Sequence, residues 1–173
     1  MEDTQVFEKL IPTKIFEDIY KITPTELREV GITALILDID NTLVTYDDPK
    51  PTETVAAWLD SIHEAGIQTA FVSNNHLTRV EGFCEGLGCY FHADSAKPSR
   101  KYLREAMAHM GTDVSNTAAV GDQLFTDVWA AKRCGMRAFL VPPIKDKTSL
   151  FFRSKRLLEK PFLRLYFKKN GQE

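Results

Sequence analysis

From Ala34 to Leu43 the chain reads A-L-I-L-D-I-D-N-T-L. An apolar run ends abruptly in two carboxylates one residue apart, followed by an amide, a hydroxyl and another apolar residue. Ala34 to Leu37 with Ile39 is too short a run for a helix. Bounded by Gly31 and the polar cluster, it reads as a buried parallel strand. In open α/β sheets ligands collect beyond the carboxyl ends of the strands, which is where Asp38 and Asp40 fall. Two like charges this close cost free energy unless a cation or a shared proton compensates them. The stretch therefore asks for a metal.

On either side, strand and helix patterns alternate. Upstream, Ile11, Ile15, Phe16 and Ile19 recur at helical spacing. Thr23-Pro24-Thr25-Glu26 then reads as a capping box, with Thr23 as N-cap, Pro24 as first helical residue and Glu26 as reciprocal partner, and Gly31 ends that helix. Downstream, V-T-Y-D-D-P-K-P marks a loop or flap. A helix follows on Val55, Trp58, Leu59 and Ile62, closed by Gly66. Gln68–Val72 is a strand running into Ser73-Asn74-Asn75, and Leu77, Val80, Phe83 and Leu87 form the next helical stripe. Tyr90–His92 is a short strand, and Pro98 opens a helix carrying Leu103, Ala106, Met107 and Met110. Thr117–Val120 is a strand ending in Gly121-Asp122. A helix on Leu124, Val128 and Ala131 and a last strand, Arg137–Val141, complete the series. This alternation predicts an α/β fold, a Rossmann-like doubly wound parallel sheet flanked by helices.

Four strand ends carry polar residues where a ligand would sit: Asp38 with Asp40, Ser73 with Asn74, Lys97, and Asp122 with Asp127. Together they supply an attacking carboxylate, a second carboxylate able to carry a proton, a third for a divalent cation, a hydroxyl and a fixed positive charge. Phosphoryl transfer needs those parts, because it proceeds mostly by positioning and by neutralising charge on the equatorial oxygens. Each residue taken alone has an ordinary alternative. Asp40 could be a turn residue, Lys97 a solvated lysine, Ser73 a helix cap, and Asp127 an exposed partner of Lys132 or Arg133. The ordered set outweighs those alternatives.

D-I-D-N-T-L, V-S-N-N, A-K-P and G-D-Q-L-F-T-D, in that order, resemble the four signature motifs of the haloacid dehalogenase superfamily, in its subfamily IIIA phosphatase branch. Within that branch the chain looks most like the YqeG family, whose relatives include phosphatidylglycerophosphate phosphatases. The resemblance covers about residues 31–143. It implies that Asp38 is the nucleophile forming an aspartyl-phosphate, and that Asp40 protonates the leaving alkoxide and later deprotonates water. It also implies Mg²⁺ bound by the Asp38 carboxylate, the Asp40 carbonyl and the Asp122 carboxylate, with Asp127 supporting that shell directly or through water. Ser73 and Lys97 would hold the phosphoryl oxygens with the backbone amides of Ile39 and Asn74, and Thr42 would pin the loop. Arg79 is a candidate for binding a second anionic group of the substrate, and His76 is expected to be a solvated loop histidine.

Members of that superfamily often insert a cap domain between motifs. Here Asp38 and Ser73 are 35 positions apart and Ser73 and Lys97 are 24 apart, which leaves no room for one. An open site suits a large substrate such as a lipid headgroup, a nucleic acid end, a protein or a sugar phosphate. The 173 residues divide into an N-terminal helical extension (1–32), the core (33–144) and a basic, aromatic-rich tail (145–173). Residues 1–144 carry 13 Lys/Arg against 21 Asp/Glu, and residues 145–173 carry 9 against 3. The tail thus places aromatic and aliphatic residues among cations, as peripheral membrane segments do. Leu158, Phe162, Leu165 and Tyr166 are expected on one helical face, with Pro161 bending or dividing the helix. The ordinary alternative is a helix packed on its own domain with a wet basic face.

The open site and the basic apolar tail, with what the resemblance to lipid phosphatases implies, make an anionic phospholipid phosphate, phosphatidylglycerophosphate included, the leading partner, and the acidic body argues mildly against nucleic acid. The expected location is cytoplasmic, peripheral at the inner face of the membrane, since the N-terminus lacks the pattern of a secretory signal. Cys84, Cys89 and Cys134 fit no zinc template and are expected to be reduced. A phosphate-responsive scaffold that keeps the site is a competing reading. A receiver domain fits Asp40-Asn41-Thr42 poorly.

Overall fold

In the computed structural model, residues 8–145 and 150–171 are described, residues 150–156 by their backbone alone. Six parallel strands form one sheet in the order β1 (Lys14–Ile15), β6 (Arg137–Leu140), β5 (Thr117–Gly121), β2 (Ala34–Leu37), β3 (Gln68–Val72) and β4 (Tyr90–His92). β2 lies at the centre, with Leu37 paired to Phe71 of β3 on one side and to Val120 of β5 on the other. The chain leaves β2 toward β3 and later returns to β5 on the opposite side. This switch opens a crevice beyond the ends of the three strands.

Side-chain alternation divides the core into two layers. Leu35, Leu37, Phe71 and Val120 point to one face, where α1 (Pro24–Glu29), α2 (Glu53–Glu64) and α3 (Leu77–Cys84) supply Leu27, Leu59, Ile62, Val80 and Phe83. Ala34, Ile36, Ala70, Val72 and Ala119 point to the other, against Leu103 and Met107 of α4 (Lys101–Met110), Ala131 of α5 (Trp129–Cys134) and Phe162 of α6 (Leu150–Lys169). Both faces being covered is why the strands read as unbroken apolar runs. All three cysteines are free.

Several local expectations are corrected. Lys14–Ile15 is an edge strand, not helix. Thr13 N–H donates to Ala138 O at 2.7 Å and Phe16 N–H to Leu140 O at 2.9 Å, so pairing with β6 overrides the helical spacing. Thr23 caps α1 through the Glu26 amide at 3.2 Å, but the Glu26 carboxylate is bound to Lys14 Nζ at 2.6 Å instead of closing the box. Leu77 lies 56% exposed at the start of α3, which ends at Cys84, short of Leu87. Pro98 does not open α4. It follows a cis Lys97–Pro98 peptide in a turn, and the helix starts at Lys101. Pro161 lies inside a continuous α6 and does not divide it.

The tail takes the less exotic of its two expected forms. Among its described side chains Glu159, Phe162 and Tyr166 are buried, whereas Leu158 and Leu165 are exposed, so only two residues of the expected four-residue face meet the core. Tyr166 Oη accepts the Ile15 amide at 3.1 Å and covers the edge of β1. Among the described residues no cap domain stands over the sheet, and no helix is long and apolar enough to cross a membrane.

Candidate active site

Because β2, β3 and β5 run parallel and in register, Asp38, Ser73 and Asp122 leave the sheet at one edge. Asp38, Asp40, Ser73, Asn74, Lys97 and Asp127 line a cavity of about 330 Å³ there, with Tyr46, Asn75, Gln123 and Thr126. The loop after β2 turns sharply at Asn41, whose φ of 68° lies in the left-handed region that Asn tolerates better than most residues. The Asn41 amide is anchored by Lys145, donating to its carbonyl at 2.8 Å and accepting from its N–H at 2.9 Å. Thr42 Oγ1 donates to Asp38 Oδ2 at 3.0 Å, so this residue fixes the carboxylate and not merely the loop.

Lys97 is the electrostatic centre. Its ammonium donates to Asp38 Oδ1 at 2.7 Å, to Asp127 Oδ1 at 2.6 Å and to Val72 O at 2.7 Å, which uses all three donors. The residue is 8% exposed. Asn74 builds the loop that delivers it, with Oδ1 accepting the Lys97 amide at 2.7 Å and the Ser95 hydroxyl at 2.8 Å, and Nδ2 donating to Lys97 O at 3.2 Å. Burial opposes the charge on Lys97, but Asp127 and Asp38 outweigh it and hold the ammonium above its ordinary value. Burial pushes the Asp38 carboxyl up to about 6. Lys97 pulls it back, Asp127 adds to the rise, and the Thr42 hydrogen bond also favours the anion.

Asp127 is brought inward by a π-helical turn, Leu124–Val128, that runs into α5. Such turns recur at functional sites because they advance one residue out of the α-helical sequence. Its Oδ2 accepts the Gln123 amide at 3.2 Å and the Thr126 hydroxyl at 3.3 Å. Gly121 is required beneath it, since a Cβ there would overlap the Asp127 side chain. The turn is buttressed from outside by α6: Glu159, buried, accepts the Leu124 amide at 3.2 Å, and the Phe162 ring meets Phe125 edge-on at 5.8 Å.

Asp38, Asp122 and Asp127 each offer a carboxylate oxygen within 4.8 Å of the others. This all-oxygen set is suited to a hard divalent cation. With Asp40 it makes four carboxylates against two cations, Lys97 and Arg79, an excess that a divalent ion would neutralise.

Arg79, the candidate for a second anionic group of the substrate, points at Asp40. It is absent from the cavity lining, and its Nε and Nη2 donate to Asp40 Oδ1 at 3.1 and 2.9 Å. His76 is exposed, starts α3 and pairs with Asp94 at 3.2 Å. Of the lining residues that were missed, Asn75 stood within the V-S-N-N motif. Tyr46 sat unremarked in the flap, and burial and the surrounding carboxylates raise its phenol above the ordinary value.

The sequence matches the family model of a haloacid dehalogenase-like hydrolase over residues 4–135. It is 35% identical over 153 residues to the probable phosphatase YqeG of Bacillus subtilis, covering 88% of this chain and 89% of that protein. Among solved structures the fold is similar to the cobalt-bound form of the deoxy-D-mannose-octulosonate 8-phosphate phosphatase of Haemophilus influenzae, with a TM-score of 0.53 and 17% identity over 79% of this chain and 90% of that one. It is also similar to the CbbY protein of Rhodobacter sphaeroides in complex with xylulose-(1,5)bisphosphate, with a TM-score of 0.52 and 16% identity over 69% of this chain and 90% of that one. The chain belongs to the haloacid dehalogenase-like hydrolase family and is a YqeG-like phosphatase.

Proposed function

We propose that the protein is a Mg²⁺-dependent phosphomonoesterase working through an aspartyl-phosphate. The observation that carries this is Lys97 bridging Asp38 and Asp127 on the wall of an open cavity beside Asp40. In the first half-reaction an Asp38 carboxylate oxygen attacks phosphorus and the ester P–O bond breaks. The proton of Asp40 passes to the departing alkoxide. In the second, water attacks the phosphorus of the aspartyl-phosphate, Asp40 takes the water proton, and Asp38 and phosphate separate. Ser73 and Lys97 bind phosphoryl oxygens, and Asn74 holds the Lys97 loop. Asp38, Asp122 and Asp127, with the Asp40 carbonyl, would hold the cation, which would supply charge neutralisation to the phosphoryl group.

The purified protein should hydrolyse p-nitrophenyl phosphate when Mg²⁺ is present, and Asp38→Asn should abolish turnover. Equal activity in the mutant would sink the mechanism.

For the substrate, the reading favours an anionic phospholipid phosphate such as phosphatidylglycerophosphate at a membrane surface. The open cavity supports it, and so does the outer side of α6, where Leu157, Leu158, Leu165 and Phe167 stand exposed among Lys160, Arg164 and Lys168. Vesicles containing that lipid should release phosphate faster than matched solutions of glycerol phosphate or nucleotides. Leu157→Glu with Leu158→Glu should reduce vesicle turnover while leaving p-nitrophenyl phosphate hydrolysis intact.

A further inference from the structure

We propose that Arg79 is a positioning residue for proton transfer, gripping Asp40 Oδ1 so that the reaction's proton is carried on Asp40 Oδ2; this rests on the acid–base role given to Asp40 above. An arginine meant for substrate would direct its fork into the cavity. Here Nε and Nη2 converge on a single oxygen, and Nη2 also reaches Thr45 O at 3.3 Å. The guanidinium lies 5.9 Å from the centre of the Phe83 ring, and the two partners' side chains are 16% and 6% exposed. Nη1 is buried with no hydrogen-bond partner. Burying a donor unsatisfied is unfavourable, so the two-donor contact with Asp40 is kept at a cost.

The opposite side of Asp40 is held as specifically. Asn75 Nδ2 donates to Asp40 Oδ2 at 2.8 Å, and its amide cannot turn over at no cost because Asn75 Oδ1 accepts the His76 N–H at 2.8 Å. A carboxylate oxygen has two acceptor sites in its plane. Arg79 sets its positive charge and two converging N–H groups against Oδ1, which disfavours a proton there, and Asn75 takes one site on Oδ2. The remaining site on Oδ2 is the place for a proton that must reach the leaving oxygen. Without the grip, Asp40 would rotate about its last torsion and offer that proton in the wrong direction for much of the time. A lysine could supply the charge but not the two-point hold.

The test is the dependence of kcat/KM on leaving-group acidity, over a series of substituted phenyl phosphates from 4-nitrophenyl to 4-methoxyphenyl, with Mg²⁺ present. General-acid help matters more as the leaving group becomes more basic, so a misplaced acid steepens the dependence. Arg79→Ala should lose roughly tenfold more at the 4-methoxyphenyl end than at the 4-nitrophenyl end, and Asp40→Asn at least as much. Arg79→Lys, which keeps the charge and serves if the alanine variant does not fold, should fall between wild type and Asp40→Asn. An equal fractional loss across the series for the Arg79 variants, with Asp40→Asn steep, would overturn the positioning role and leave the acid–base reading standing. A dependence unchanged in Asp40→Asn would overturn both.

Discussion

Lys97 stands between two carboxylates that would otherwise face each other across the cavity. Removing one member of a buried ion cluster leaves the others uncompensated, so Lys97→Ala should destabilise the metal-free protein by about 3–5 kcal/mol in denaturant unfolding. Added Mg²⁺ should restore part of that stability but not the turnover. Asp38 makes the same point in pH. Burial places its folded-state pKa at about 6, above the ordinary 3.8. Its contribution to stability is therefore whole below the ordinary value and is lost as pH rises through about 6. Metal-free protein should lose thermal stability across that window, and Asp38→Asn should flatten the loss. Because a divalent cation binds the ionised form, Mg²⁺ should raise the melting temperature more above pH 6 than below it. Cys84 by contrast has no such role, since burial pushes its thiol up to about 12 and keeps it inert.

Among the elements, the π-helical turn Leu124–Val128 is the one whose geometry the site depends on most. It sets Asp127 over Gly121, with Lys97 on one carboxylate oxygen and the Gln123 amide on the other. Gly121→Ala would place a methyl against Asp127 and drive it off Lys97. A displacement of that order costs on the order of 100-fold in turnover. The variant should lose thermal stability as well as kcat/KM for p-nitrophenyl phosphate, because parting Asp127 from Lys97 breaks a buried ion pair. A variant with normal kinetics would show that Asp127 is not needed in its observed place. Glu159→Ala acts on the same turn from outside, by leaving the Leu124 amide without this acceptor.

At the scale of the whole molecule, the C-terminal segment is part of the scaffold of the site. Lys145 anchors Asn41 beside the nucleophile, and α6 seals the second core layer with Phe162, supports the acidic turn with Glu159 and covers β1 with Tyr166. Deleting residues 146–173 should therefore lower both thermal stability and turnover of p-nitrophenyl phosphate. Loss of the Phe162 side chain alone is worth about 3–5 kcal/mol. The deletion cannot serve to separate a membrane role from catalysis, which is why substitution of the exposed Leu157 and Leu158 is the sharper experiment. Retained activity in the truncated protein would mean that α6 only rests on the core.

The parallel sheet was legible in the chain because β2, β3 and β5 are local apolar runs, and their polar ends mark where the sheet stops and chemistry begins. Asp38, Asp40, Ser73, Asn74, Lys97, Asp122 and Asp127 could be placed together before any coordinates, because in-register parallel strands bring their carboxyl ends to one edge. Spacing misled where a long-range partner outweighed local pattern: β6 drew Lys14–Ile15 into the sheet, and the core drew Glu159, Phe162 and Tyr166 inward while leaving Leu158 and Leu165 in water. The partner of Arg79 was a tertiary matter of the same kind. Residues 40 and 79 lie far apart in sequence, and only the folded chain brings the guanidinium onto Asp40 and the Thr45 carbonyl. Sequence by itself determined which chemical groups gather at the strand ends, since that follows from strand periodicity. Which oxygen faces which donor, and whether the tail is free or docked, was decided by the folded chain alone, because those contacts join segments whose sequences carry no trace of one another.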